Sequence, residues 1–177
     1  FKGRRLLDSL IVASLMFPVF STIIPVFQML SAIRVVDNPI GVILPQTAGN
    51  LAFAIVILMG YIRGLPIDME ESAFLEGCNV FQVFYRIIMP VCRPAFATVA
   101  IFAFLWSYND LFTQLFFLRS PQTWAITRFL NEVSSQFGTD YGMMCAVVTL
   151  IVVPVLIVYI FLQKNIVKGL TAGAIKG

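Results

Sequence analysis

Apolar residues gather along this chain in four long runs separated by short polar stretches, at roughly Leu10–Ile33, Val42–Ile62, Ala95–Leu118 and Met143–Leu162. A helix needs about 20 apolar residues to cross a bilayer, so each run is read as a membrane span. Pro18 and Pro25 lie in the first and Pro154 in the fourth. Proline is tolerated in such helices because neighbouring helices and waters satisfy the freed carbonyls. Ser107, Asn109 and Asp110 interrupt the outer part of the third run. Basic residues set the direction. With the N-terminus inside, Lys2, Arg4, Arg5, Arg63, Arg86, Arg93, Lys164, Lys168 and Lys176 fall on the cytoplasmic side, against Arg34, Arg119 and Arg128 outside. Both termini are then cytoplasmic, and the outer segments are a turn near Asp37–Pro39 and a loop from Arg119 to Gly142.

The segment from Leu65 to Arg93 is too polar to span and too patterned for a linker. Pro66 suits the first position of a helix. Asp68, Glu70 and Glu71 follow in the first turns, where the helix dipole favours anions. Gly77 sits where a helix stops in the left-handed conformation. Asn79 with Gln82 reads as a capping pair opening a second helix, which stops before Pro90. The spacing therefore predicts two short helices hinged at Gly77. A helix lying on the membrane is one reading. The acidic first helix favours docking into a cytoplasmic protein instead, because interfacial helices are usually basic.

Composition agrees with the membrane reading. Of 177 residues, 59% are hydrophobic and 12% charged, with 17 Phe, and the mean hydropathy is +0.91. A soluble domain is about 45–50% apolar and about 25% charged. Disorder, a secreted disulfide scaffold and an ordinary cytosolic enzyme are excluded. There is no His, so the commonest general base and metal ligand is missing. Cys78, Cys92 and Cys145 form no metal spacing and read as free thiols. The net charge of +3 gives no sign of nucleic acid. No catalytic group, metal site or cofactor is expected. Lys2, Arg4 and Arg5 ahead of an apolar run suggest a signal peptide, but the run is too long and lacks a cleavage site. Since Phe1 is not an initiator Met, the chain is read as beginning in a cytoplasmic loop, with upstream sequence missing.

The run Glu71-Ser72-Ala73, three residues, Gly77, nine residues, then Ile87-Ile88-Met89-Pro90 resembles the EAA loop of ABC importer permeases. It departs from E-A-A…G…I-x-L-P at Ser72 and Met89. Phe1-Lys2-Gly3-Arg4 looks like the opening loop of that family's core. Ser107-Tyr108-Asn109-Asp110 is similar to S-W-N-D of the branch serving di- and oligosaccharides. Gly138-Thr139-Asp140-Tyr141-Gly142 resembles an outer loop of that branch, and Val167–Gly177 its C-terminal tail. The resemblance covers essentially the whole chain.

It implies an all-α, polytopic transmembrane helical bundle, four spans of it in this chain. Residues 1–177 would be the C-terminal portion of the permease domain, with residues 65–90 as the coupling loop and about two further helices upstream. It also implies a bacterial or archaeal cell membrane and a lipid bilayer around the spans. The partners would be a second homologous permease subunit, a cytoplasmic ABC ATPase dimer and an extracellular or periplasmic substrate-binding protein. Glu71, Ser72, Ala73, Gly77, Ile87, Met89 and Pro90 would form the coupling site, with Glu71 the charged contact. This chain holds no P-loop and would hydrolyse nothing.

Asp110, with Asn109 and Trp106, is a candidate lining for a sugar route, since an acid within a span is a functional hypothesis by default. The competing reading places Asp110 near the outer interface, capping a helix end. Gln46, Thr47 and Asn50 give the second span a polar start suited to hydrogen bonds within the bundle. Trp124 and Tyr141 suit an outer aromatic belt. Alternatives are a permease for a non-sugar substrate such as a glycerophosphodiester, a secondary transporter or channel, and a membrane enzyme. The spans lack the mid-membrane charges of a secondary transporter and the catalytic constellation of an enzyme.

Overall fold

A computed structural model describes residues 2–136 and 141–174, with side chains described except at 129, 132, 134–136 and 162–174. The Gly138-Thr139-Asp140 motif and the side chains of the C-terminal tail lie outside the described residues. The described residues form helices and turns without strands: α1 (Arg4–Ser14), α2 (Val19–Ala32), α3 (Pro39–Arg63), α4 (Asp68–Leu75), α5 (Val80–Val91), α6 (Arg93–Asn109), α7 (Leu111–Phe117), α8 (Ile126–Gln136) and α9 (Tyr141–Ala174).

Two helices are long and apolar enough to cross a membrane, α3 and the Tyr141–Phe161 part of α9, and up to four if each of two bent pairs is one span. The first bent pair corrects the single helix expected over Leu10–Ile33. The chain breaks after Ser14, and α1 and α2 meet at 98°. Pro18 explains the break: it has no N–H to donate and biases Phe17 away from helical geometry. Pro25, Pro45 and Pro154 stay inside helices. The third expected span, Ala95–Leu118, is likewise divided into α6 and α7 at Asp110. The segment from Arg119 contains a short 3₁₀ turn at Pro121–Thr123 and the helix α8, where a loop was expected.

The chain packs as two compact units, one from residues 1–52 and 104–160, the other from residues 53–103 and the end of α9. In the first, Leu30, Val42, Phe117 and Leu118 form a buried cluster. The Phe27 and Phe117 rings stack at 6.1 Å. In the second, Ala73, Val83, Ile88 and Cys92 form a core of their own, flanked by Tyr61, Leu65 and Phe96. The segment between α3 and α6 is thus a folded element with an interior. All three cysteines are free thiols.

Candidate functional site

Two helices joined at a glycine make the first site. α4 opens with Asp68, Glu70 and Glu71 in its first turn. Pro66 precedes the helix, and its carbonyl accepts from the Met69 N–H at 3.3 Å. At the other end Gly77 has φ +86°. Its N–H donates to the Phe74 carbonyl and the Cys78 N–H to the Ala73 carbonyl, both at 3.0 Å. This is the Schellman arrangement, which satisfies the last carbonyls and needs a residue at ease with positive φ. Two residues later Asn79 accepts from the Gln82 N–H at 2.9 Å, while the Gln82 side chain accepts from the Asn79 N–H at 2.8 Å. The expected capping pair is present, and it opens α5.

α5 does not stop before Pro90, as the sequence suggested, but continues to Val91. A widened π turn over Phe84–Ile88 carries it, with the Met89 N–H donating to the Phe84 carbonyl. In a regular helix the Pro90 ring would strike the carbonyl of Arg86, four residues back. That carbonyl lies inside the widened turn. The helix then bends by 65° into α6.

Helical periodicity assigns the faces. Ala73 is buried at 3% exposure. Glu71, Phe74 and Leu75 lie on the opposite side of α4 at spacings of three and four residues, and Leu75 is 90% exposed. On α5, Val83 and Ile88 point inward, while Val80, Phe81 and Tyr85 are exposed. Ile87 packs against the small core. Ser72 and Pro90 are exposed and Met89 is half-buried. Glu71 is exposed beside exposed apolar side chains, Phe74 and Leu75 among them.

The first unit holds a second cluster. Asp110 caps α7, its Oδ1 accepting from the Thr113 N–H at 3.0 Å. Its Oδ2 accepts from the Gln46 side-chain amide at 3.0 Å, and the Ser107 hydroxyl donates to Gln46 Oε1 at 2.6 Å. Gln114, buried at 4% exposure, accepts from the Thr127 hydroxyl at 2.6 Å. The structure thus gathers Gln46, Ser107 and Asp110 but leaves Trp106 and Asn109 exposed; the Asn109 amide donates to the Leu105 carbonyl. A cavity of about 340 Å³ adjoins this network, with Gln46, Ser107, Tyr108, Gln114 and Thr127 in its wall.

Sequence reasoning treated Asp37 only as part of a turn. Its φ is +63° and its N–H donates to the Phe117 carbonyl at 2.7 Å. Its carboxylate accepts from the Ser120 hydroxyl and N–H, the Thr123 hydroxyl and the Arg119 N–H. These bonds, that from the Ser120 side chain foremost, hold the carboxyl well below the usual aspartate range. The Asp37-Asn38-Pro39 turn signal located the bend, but no local signal named partners more than eighty residues away.

The sequence profile described as binding-protein-dependent transport system inner membrane component matches residues 1–172. The chain belongs to this family. It is a helical, multi-pass membrane protein. The arabinooligosaccharides transport system permease protein AraQ of Bacillus subtilis is 33% identical over all of this chain and 62% of its own length. The diacetylchitobiose uptake system permease protein NgcG of Streptomyces coelicolor is 33% identical over 99% of this chain and 59% of its own. The chain therefore spans about three fifths of the length of these relatives. A solved bacterial ABC transporter involved in the import of the acidic polysaccharide alginate matches with a TM-score of 0.77 at 22% identity, covering 93% of this chain and 62% of that one. At that identity the likeness speaks for the fold alone.

Proposed function

We propose that this family member is part of a permease subunit of an ATP-driven importer for sugars. It forms half of a translocation pathway with a second, homologous permease subunit. A binding protein outside delivers the sugar, and a cytoplasmic ATPase dimer supplies the work. Both termini of the chain face the cytoplasm. The observation that carries the reading is the rigid pair α4–α5, with Glu71 and exposed apolar side chains at its tip. A short element with its own core and two capped ends transmits a push that a floppy loop would dissipate. Ala73, Gly77 and Ile87 shape this pair, Ser72, Met89 and Pro90 complete its motif, and Glu71 is its charged contact to the ATPase. Asp110, Asn109 and Trp106 border the sugar route near its outer end. The sugar assignment draws on the printed names of the arabinooligosaccharide and diacetylchitobiose permeases.

The test is co-purification of the ATPase with the full-length permease. A charge pair broken on one side at a desolvated interface costs about 2–5 kcal/mol, whereas an exposed pair costs under about 1 kcal/mol. Glu71→Ala is expected to weaken assembly by tens-fold or more while leaving membrane insertion intact. Asp68→Ala, acidic and nearby but outside the motif, is expected to assemble normally. Wild-type assembly by Glu71→Ala refutes the role of Glu71, and equal damage from Asp68→Ala reduces it to bulk negative charge.

A further inference from the structure

Asp37 fastens the α2–α3 turn to the segment that follows α7, and both belong to the first unit. The turn holds two residues in the left-handed region, Arg34 at φ +57° and Asp37 at φ +63°. That conformation is disfavoured for any residue with a Cβ, and it persists where the surroundings over-determine it. At Asp37 the surroundings are four donors. The Arg119 N–H, the Ser120 N–H and the Thr123 hydroxyl converge on Oδ1 at 2.8, 2.9 and 2.8 Å. The Ser120 hydroxyl donates to Oδ2. In the opposite direction the Asp37 N–H donates to the Phe117 carbonyl at 2.7 Å.

Apolar contacts join the same two segments. The Arg119 guanidinium lies 4.9 Å over the Phe27 ring, which is itself stacked on Phe117. Leu30 and Val42 on one side and Phe117 and Leu118 on the other make one buried cluster. The segment also closes on itself. The Trp124 indole N–H donates to the Arg119 carbonyl at 3.2 Å, and the Thr123 hydroxyl lies 2.8 Å from the Ser120 carbonyl. The start of α8 is tied back to α7 in turn, Arg128 Nη1 donating to the Leu115 carbonyl at 2.8 Å and the Gln114 carbonyl at 3.3 Å. A segment that opens as a lid has few buried apolar contacts and weakly protected backbone bonds. This one has the reverse. Parting it from the turn would strip the left-handed Asp37 of the bonds that sustain it and bare Phe117 and Leu118, now 1% and 4% exposed.

We propose that this joint is a permanent clasp: Asp37 locks the α2–α3 turn and residues 117–124 into one rigid body that stays closed in every state of the working cycle. α7 and the start of α8 then follow the movements of α2 and α3 and do not swing on a hinge of their own. Asp37 is a positioning residue, and the conformational change of transport takes place elsewhere than at this joint. The proposal takes from the importer reading only that the chain has a working cycle. It depends neither on the solute nor on which side of the membrane the clasp faces.

The test uses the full-length permease, its native cysteines replaced by alanine, assembled with its partner subunits in nanodiscs. The pair Asp37→Cys/Ser120→Cys exchanges the polar clasp for one under redox control. Dipyridyl disulfide joins the two thiols in one S–S bond, their two protons and two electrons leaving with two pyridinethiols, and a thiol reductant reverses the step. Reduced, the pair is expected to support ATP hydrolysis stimulated by the binding protein at least fivefold more slowly than its parent; bridged, within twofold of it. A second arm reads hydrogen exchange of the peptide spanning residues 118–123, without nucleotide and with ATP and vanadate. The two rates are expected to agree within threefold, and Asp37→Ala to raise both at least tenfold. Failure of the bridge to form, a bridged form no faster than the reduced one, or exchange more than threefold apart between the two states overturns the clasp while the importer reading stands. If no ATPase assembles with the permease, the importer reading falls, and exchange in the isolated permease still decides the clasp: a tenfold rise in Asp37→Ala supports it and an unchanged rate overturns it.

Discussion

Asp37 joins two segments more than eighty residues apart through its backbone and its carboxylate. Its lowered pKa has a definite consequence for stability. The folded carboxylate resists protonation, so its contribution is fully present above the ordinary aspartate value of about 3.9. It is lost progressively as the pH falls below that value toward the folded pKa. Asp37→Asn is therefore expected to lower the Tm of the purified protein at pH 7, and the gap to wild type should shrink on acidification below about pH 4. A gap that stays constant with pH would contradict the ionic origin. Gly41 is a second residue whose identity is forced. A Cβ there would lie 2.3 Å from the Val35 carbonyl oxygen, so Gly41→Ala should destabilise by about 1–3 kcal/mol, as overpacked sites do. Gly77 differs: a Cβ there meets nothing within 4 Å, but φ is +86°. Gly77→Ala should cost about 1–2 kcal/mol through the backbone alone, and Gly77→Asn less. Denaturant melts of the three variants check the ordering.

Among the elements, the α4–α5 pair was the most legible because its signals are local. Glycine at the stop, an asparagine–glutamine pair at the next start and acids in a first turn each act on backbone only a few residues away. Asn79→Ala should remove one half of the capping box and destabilise α5 locally by about 1 kcal/mol. Hydrogen exchange at the amides of Val80–Val83 should speed several-fold, with little change in α6. The end of α5 was less legible. Pro90 predicts a stop by its own chemistry, and the π turn over Phe84–Ile88 that absorbs it is not a local propensity of those residues. The α1–α2 break shows the reverse: Pro18 was noted, yet tolerance of proline in spans favoured one continuous helix. Pro25 is carried within α2 and Pro18 is not, and the sequence pattern alone did not separate the two.

At the scale of the whole molecule, the family membership and the apolar helices define a multi-pass membrane protein, and the proposed orientation makes a labelling experiment decisive. A cysteine at Leu75, which is 90% exposed, should react with a membrane-impermeant maleimide only in inside-out vesicles. A cysteine at Arg119, exposed between α7 and α8, should react only in right-side-out ones. The reverse pattern would overturn the orientation drawn from the nine-to-three distribution of Lys and Arg and would place α4–α5 on the wrong side of the membrane for an ATPase.

The sequence by itself determined the helical class, the membrane as solvent and the two capped helices around Gly77. These follow from composition, from runs of apolar residues and from contacts between near neighbours, all of which are fixed before the chain folds. Tertiary structure decided which polar residues meet. Gln46 and Asp110 are 64 positions apart and Asp37 and Ser120 are 83 apart; each was visible as a polar position, and none announced its partner. The cavity beside Gln46 exists because side chains from three separated stretches converge on it. Inside an apolar protein a polar group finds its energetic minimum only when a partner arrives to satisfy it. Which partner arrives is a property of how the helices pack, and no single stretch of sequence contains that information.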